Sequence, residues 1–357
     1  MKTIAAIGLL ITSLALLARQ WPAAELQPGL HDSCEMPACE DCAPEAVSTV
    51  AQPPRGPLDQ FNTKGLTIPA KEIRAGGPPK DGIPAITKPK TTAADRAEFL
   101  KAEDRILAVA IKNESRAYPV NVLTWHEAVN DELGGMPIAV IYCPLCDSFS
   151  VVERRIKDKT LEFGISGLLY NSNVLLYDRT DQALWSQVGL TAVSGPHAGQ
   201  SLRHLPFEIT TFEKWSKANP KGTVMTKETG HARDYSRNPY ASYFQTDRLM
   251  FPPAELDRRL PAKMPVIGIR SGSVIRAYTL SEVEKSRGGM LEVKIEGGKV
   301  VLQVDGKGSV RVVEAPENAQ VVHTFWFAWA AFHPKSELIG TAQTGTGSGK
   351  PVGSGTK

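Results

Sequence analysis

Net charge is nearly absent from this sequence: 41 basic residues stand against 38 acidic ones, leaving +3. No stretch interleaves Lys or Arg with aromatics, so the electrostatic footprint of a nucleic-acid-binding surface is missing and that partner class is set aside. Beyond residue 20 no apolar run reaches the roughly 20 residues that a membrane-spanning helix needs. The Gly-x-Ser-x-Gly elbow that would activate a serine nucleophile does not surround Ser166. Cysteine is scarce, five in 357 residues, and Cys39-Glu-Asp-Cys42 has no following His, which excludes c-type haem attachment. No lipobox precedes Cys34.

What is present begins with a targeting pattern. Lys2 precedes an uncharged stretch from Ile4 to Ala18 that ends at Arg19. This is the order of a charged region and an apolar core in an export signal. The cleavage patterns Leu16-Leu17-Ala18 and Pro22-Ala23-Ala24 are imperfect, so residues 1–20 read as a signal peptide or as an uncleaved N-terminal anchor. A buried core helix is the competing reading, disfavoured by the polar, Pro-rich stretch that follows. The expectation is an extracytoplasmic protein, periplasmic or attached to the membrane through its N-terminus and facing outward. Residues 21–75 carry Cys34, Cys39 and Cys42 among recurring prolines and show no apolar periodicity. Such a segment cannot bury enough surface to offset its ordering entropy and is expected to be a disordered linker. Residues 341–357, rich in Gly, Thr and Ser, read as a disordered tail. Export favours an oxidising compartment, and an odd cysteine count there leaves one thiol free, metal-bound or paired with another chain.

Between these segments the chain reads as α+β and β-rich, with short helices. Arg105–Ile111 and Ser115–Tyr118 suggest a hairpin. Leu123–Leu133 suits a short helix closed by Gly134-Gly135, and Phe212–Ala218 another, capped by Thr210 or Thr211 and stopped by Pro220. Pro137–Tyr142, Phe149–Arg155 and Thr160–Ser166 read as strands. Landmarks recur in order. Ala108-Val-Ala-Ile111 with Arg116-Ala-Tyr118 resembles Val266-Ile-Gly-Ile269 with Arg276-Ala-Tyr278, and Phe212-x-x-Trp215 before Pro220-Lys221 resembles Trp326-x-x-Trp329 before Pro334-Lys335. Two related units from an internal duplication are therefore expected: a first at 76–257 and a shorter second at 258–340. Chance similarity of short strands is the alternative.

Cys143-Pro-Leu-Cys146 is the sharpest chemical signal and belongs to the first unit alone. Two thiols three positions apart can bind a soft metal ion, close a redox disulfide, or form a structural one. A strand enters and β-like alternation leaves, so the pair is expected to sit on a knuckle between strands, a geometry that suits metal-binding thiolates. His126 is the nearest candidate for a third ligand to copper or zinc. On the expected helix Glu127 and Asp131 share a face and are the candidate catalytic acid or base. Ser166, Asn171, Asp178, Arg179 and Gln187 lie in a run of polar residues set among strand formers and are expected to line a pocket for an unidentified small molecule.

These blocks together resemble the domain of unknown function 3179 family. The resemblance rests on Asp81-Gly-Ile-Pro84, Arg116-Ala-Tyr-Pro119, Trp125-His-Glu127 with Asn130-Asp131, Tyr142-Cys-Pro-Leu-Cys146, Ser166-Gly-Leu-Leu-Tyr-Asn171, Tyr177-Asp-Arg179 and Leu184-Trp-Ser-Gln187, and it spans roughly residues 80 to 340. It implies an exported protein and supplies no activity. Asp147 departs from the Gly that the resemblance leads one to expect after the second cysteine, which bears on how tightly the chain can turn there. The expected function is thus binding of a soft metal ion, copper or zinc, by Cys143, Cys146 and His126, in a metalloenzyme or a carrier. A thiol–disulfide redox protein and a non-catalytic domain with a structural disulfide are the alternatives.

Overall fold

The computed structural model describes residues 56–189, 191–306 and 308–341. The expected signal or anchor, Cys34, Cys39 and Cys42, and nearly all of the expected tail lie outside them.

The chain is β-rich with short helices. It begins its main body with the hairpin β1 (Arg105–Ile111) and β2 (Glu114–Pro119) and the helix α1 (Val120–His126). A three-stranded meander follows: β3 (Ala128–Leu133), β4 (Met136–Cys143) and β5 (Ser148–Glu153). A separate sheet is built on β6 (Phe163–Tyr170), β7 (Asn173–Asp178) and β8 (Leu184–Ser186). Then come β9 (Glu208–Thr211), α2 (Phe212–Ala218) and β10 (Thr223–Met225). Residues 226–264 contain one helical turn, α3 (Ala241–Phe244). After it stand the hairpin β11 (Pro265–Ser271) and β12 (Val274–Thr279), the helix α4 (Leu280–Lys285) and the meander β13 (Met290–Ile295), β14 (Gly298–Val304) and β15 (Val310–Glu314). The body closes with β16 (Gln320–Phe325), α5 (Trp326–Phe332) and β17 (Glu337–Ile339).

The connectivity runs twice: hairpin, helix, meander, strand, helix, strand. One sheet has the order β13-β14-β15-β9-β1-β2-β10, with Thr91–Ala93 at its edge; the other runs β3-β4-β5-β16-β11-β12-β17, with Ile86–Thr87 at the opposite edge. Each therefore joins the meander of one half to the four remaining strands of the other half. The sequence reading placed two units one after the other, whereas each sheet draws strands from both sides of residue 257.

One apolar cluster takes Leu107, Val109 and Ile209 from the first sheet and Val140, Val151, Ile267 and Ile269 from the second. On β1 the alternate residues Ile106 and Ala108 face the other way, beneath Trp215 of α2. On β11 the corresponding Val266 packs with Trp329 of α5. Gly268 is required there, since a Cβ would fall 2.2 Å from the Trp329 ring.

The helix expected over Leu123–Leu133 is shorter. It ends at His126, and Glu127 adopts a left-handed conformation (φ 57°, ψ −29°), after which Ala128–Leu133 is a strand. Gly134 and Gly135 (φ 57° and 75°) form the two-residue turn of the hairpin between β3 and β4, which such a pair favours because both positions need positive φ. The same Gly-Gly signal serves a helix end or a hairpin, and Ala-Val-Asn-Asp-Glu-Leu carries no period strong enough to decide. Consequently Glu127 and Asp131 do not share a helical face. The strand expected at Thr160–Ser166 begins at Phe163 instead, while Lys159–Thr160 pairs with Arg155–Ile156 in a separate short hairpin.

Candidate functional site: a buried dithiol knuckle

Strand β4 delivers Cys143 at its last position, opposite Ser148 of β5. The chain reverses through Pro144–Asp147, with the Cys146 N–H donating to Cys143 O at 3.2 Å. Asp147 takes a positive φ of 44°, so the tight turn forms without glycine; Asp tolerates this region better than most residues. Its carboxylate accepts two bonds from Arg105 Nη1 (2.8 and 3.0 Å) and one from the Tyr142 hydroxyl (3.1 Å). The far side of the knuckle is fixed by β16: Phe325 N–H donates to Cys146 O at 2.8 Å, and His323 Nδ1 lies 3.1 Å from Asp147 O.

The two sulfurs are 4.0 Å apart, no disulfide joins them, and both residues are buried. Their surroundings differ. Burial pushes the Cys143 thiol up, but the Cys146 thiol and the backbone N–H groups of Val174, Cys146 and Leu145 all point at its sulfur and together bring it below the ordinary thiol value. Burial also pushes Cys146 up, and there the hydrogen bond to Cys143 and the charge on that sulfur push the same way, well above the ordinary value. Cys146 Sγ lies 3.1 Å from Ser172 O and 3.7 Å from Asn173 Nδ2. Asn173 is held in turn by Gln187 Oε1 at 2.8 Å, which also accepts from Ser148 Oγ at 2.7 Å. This network fixes one wall of the dithiol.

Glu127 supplies a third titratable group. Its carbonyl accepts the Tyr142 N–H at 2.8 Å, tying it to the residue before Cys143. The residue is 5% exposed, and its carboxyl oxygens are not among the fully buried side-chain atoms left without a partner. Burial and then the charge of Cys143 hold the carboxyl well above the ordinary carboxylate range. Residues 226–264 reach the knuckle. Tyr243 donates its hydroxyl to Leu145 O at 2.7 Å, and Lys263 Nζ binds the carbonyls of Tyr243 and Thr246 at 2.5 Å each. Burial raises the Tyr240 phenol, and the charges of Glu127 and Cys143 raise it further, which puts all three within electrostatic reach of one another.

The remaining expected site residues fall elsewhere. His126 is not a third ligand: its Nδ1 lies 2.7 Å from Pro84 O and its Nε2 2.7 Å from the Tyr235 hydroxyl. With Nδ1–H donating to the carbonyl, Nε2 accepts from the phenol and no lone pair is left for a metal. Burial, with the charges of His231 and Arg233, lowers its pKa to about 4, against a smaller opposing effect of the Pro84 bond. Among the described residues, no three His, Cys, Asp or Glu side chains lie close enough together to hold a metal ion. Asp131, on β3, is saturated by Arg116 Nη1 (2.6 Å), the Tyr118 hydroxyl (2.7 Å) and the Glu132 N–H (2.7 Å).

Of the five residues expected to line a pocket, Gln187 alone reaches the dithiol wall. Ser166 staples a bulge in β6, bonding Leu175 O and the Leu168 N–H. Asn171 occupies the turn between β6 and β7 (φ 48°) and donates to Ala331 O. Asp178 accepts backbone N–H groups of Glu162 and Thr180, and Arg179 pairs with Asp81 at 3.0 Å. Sequence reasoning missed Ser148, Tyr240 and Tyr243 at this site. Asn173 stood in the polar run it singled out, but the two tyrosines come from a segment without motif or period.

A family model described as "Protein of unknown function (DUF3179)" matches residues 80–322, more than half of the chain, and includes both cysteines, Glu127, Asn173 and Gln187. The chain belongs to that family, as the motifs led one to expect. No curated protein and no solved structure matches it.

Proposed function

We propose that this chain is a thiol–disulfide redox protein in which Cys143 attacks and Cys146 resolves. The observation that carries this reading is the unequal setting of two adjacent thiols. The thiolate is the nucleophile in disulfide exchange. Three backbone N–H groups and one thiol favour that form at Cys143, while Cys146 keeps its proton. A disulfide needs the sulfurs at about 2.05 Å. From 4.0 Å this is a displacement of the order of 2 Å, within reach of side-chain rotation. Export, which the first residues predict, would place the pair in a compartment where disulfides persist.

Binding of copper or zinc is the second reading. The 4.0 Å between the sulfurs is close to the spacing of two thiolates on one soft ion, with metal–sulfur bonds of about 2.3 Å. One feature weighs against it: among the described residues the donor set stops at two. The experiment is redox titration of the purified chain, with mass spectrometry and metal analysis on the same samples. The redox reading expects a reversible loss of two hydrogens assigned to a Cys143–Cys146 linkage. It also expects Cys146→Ser to accumulate a mixed disulfide at Cys143, and Cys143→Ser to form none. Stoichiometric metal retained by the wild type and lost in either variant, without reversible oxidation, would replace this reading with the metal one.

A further inference from the structure

We infer that this chain holds a water molecule inside its core, bonded between Trp185 and His204 in a cavity that shares Gln187 with the wall of the dithiol. Such a site is independent of whether the two thiols exchange disulfides.

The cavity lies between the sheet that carries the knuckle and the separate sheet of β6, β7 and β8. On one side Ile141 of β4 pairs with Ser150 of β5; on the other Leu176 of β7 pairs with Trp185 of β8. All four residues line the cavity, and so do Ser186, Gln187 and His204. The His204 backbone is bridged to Val152 of β5. The cavity volume is about 20 Å³, above the roughly 10–15 Å³ that a water molecule needs. It is far below the several hundred Å³ of a pocket for a substrate or cofactor.

The polar groups of the lining divide into two kinds. Gln187 is fully used. Its Oε1 accepts from Ser148 Oγ and Asn173 Nδ2, and its Nε2 donates to Ser148 O at 3.0 Å and Ile141 O at 3.4 Å. Trp185 and His204 are each 4% exposed, and among the described residues no protein group bonds Trp185 Nε1 or His204 Nδ1. Buried polar groups are nearly always paired, so two orphaned nitrogens on residues that line one small cavity point to a shared partner.

The chemistry of the two nitrogens says what that partner is. The indole N–H can only donate. His204 is neutral at neutral pH: burial lowers its pKa to about 4, against a smaller opposing effect of its bond to the Val321 backbone. A neutral imidazole has one donor and one acceptor. The ring N–H is given to Val321, which leaves Nδ1 as the acceptor. The partner must therefore accept from Trp185 and donate to His204, within the space of one small molecule. Water does both. A bare cation would face the indole proton, and an anion would face the imidazole lone pair. Ser186 Oγ accepts the Gly189 N–H at 3.0 Å and keeps its own proton for a third bond, the usual number for a buried water. His197 is the competing partner for Trp185. The two rings are 6.3 Å apart, and His197 Nδ1 is also without a protein partner, but His197 does not line the cavity.

Two measurements on the full chain test this assignment: a crystal structure fine enough to show ordered water, and NMR with nitrogen-labelled Trp and His. The crystal should show a water within hydrogen-bond distance of both Trp185 Nε1 and His204 Nδ1. In solution the Trp185 indole proton should show a nuclear Overhauser effect to a long-lived water, and His204 should carry its proton on Nε2. Ser150→Val puts a branched apolar side chain where a hydroxyl lines the cavity and should abolish that effect. Four outcomes would each overturn the assignment. They are no water between the two nitrogens, a direct bond from Trp185 Nε1 to His197 Nδ1, a proton on His204 Nδ1, and an effect that persists in a folded Ser150→Val. The wild-type measurements decide the matter even if that variant does not fold.

Discussion

Asp147 offers a way to separate the strain of the knuckle from the bonds that hold it. Its backbone sits at φ 44°, and its carboxylate accepts from Arg105 and from the buried Tyr142 hydroxyl. Removing the carboxylate leaves that hydroxyl unpaired, a cost of about 1–3 kcal/mol. The Arg105 side chain is 40% exposed, so solvent screening limits its share to about 1 kcal/mol. Glycine at this position relieves the positive φ, regaining of order 1 kcal/mol; alanine does not. Asp147→Asn keeps an acceptor for Tyr142 and a residue type that tolerates this conformation. The expected order of destabilisation is Asn, then Gly at about 1–3 kcal/mol, then Ala about 1 kcal/mol worse than Gly. Urea denaturation of the three variants at neutral pH measures it, with unchanged m-values as the check that only stability moved. A Gly variant as stable as the wild type would limit the Arg105 and Tyr142 bonds to the roughly 1 kcal/mol that glycine regains. An Ala variant no worse than Gly would refute the account of backbone strain.

Gly268→Ala places a Cβ 2.2 Å from the Trp329 ring, and overpacking of this kind costs about 1–3 kcal/mol or more; thermal melting should show a clear drop, and an unchanged midpoint would mean the α5 packing is looser than described. Alkylation of Cys143 by iodoacetamide should proceed at pH values below those needed by an unperturbed thiol, and Cys146→Ala, by removing the thiol that favours the thiolate, should move the half-point upward; a half-point that stays put would discard that hydrogen bond as a cause. Glu127 should make stability depend on pH. Its folded-state pKa is raised, so the native state binds the extra proton, and stability falls as pH rises from about 4.3, the ordinary value of the unfolded chain, toward the folded one. Glu127→Gln should therefore match the wild type at pH 4 and exceed it progressively above, by up to about 1.4 kcal/mol per pH unit; a gap independent of pH would contradict the raised carboxyl. His126→Ala should leave metal content unchanged, since both ring nitrogens are already bonded; loss of a bound ion in that variant would restore the histidine as a ligand.

The strands were legible wherever a period of two or a turn pair marked them. Arg105–Ile111, the knuckle between strands and the Thr211-capped helix all stand where the pattern puts them. What could not be read was which way a residue at an element boundary points. His126 and Glu127 are adjacent, and the side chain reasoned to approach the cysteines is the one turned away, because a single left-handed residue reverses the faces. The polar run Ser166–Arg179 is largely spent on the backbone of a bulge and two turns, a use that competes with pocket lining for the same residue types. Tyr240 and Tyr243 reach the dithiol from about 100 positions along the chain through tertiary packing alone, which no local signal encodes.

The exchange of meanders between the two sheets also fixes when the dithiol's setting is complete. The knuckle is made early in the chain, but the strand that grips it, β16, comes 178 residues later, where Thr324 bonds Cys146 O. A chain emerging from its N-terminus therefore presents Cys143 and Cys146 without their partner until nearly all of the body has appeared. Contacts this distant in sequence form slowly. A chain cut between residues 257 and 258 would leave the first fragment with a sheet missing three strands and the second with a sheet missing four, so the native fold from such a pair should require both pieces together and should arise only on their association. The dithiol's setting is thus a late product of folding, gained when the last strands close over the first half.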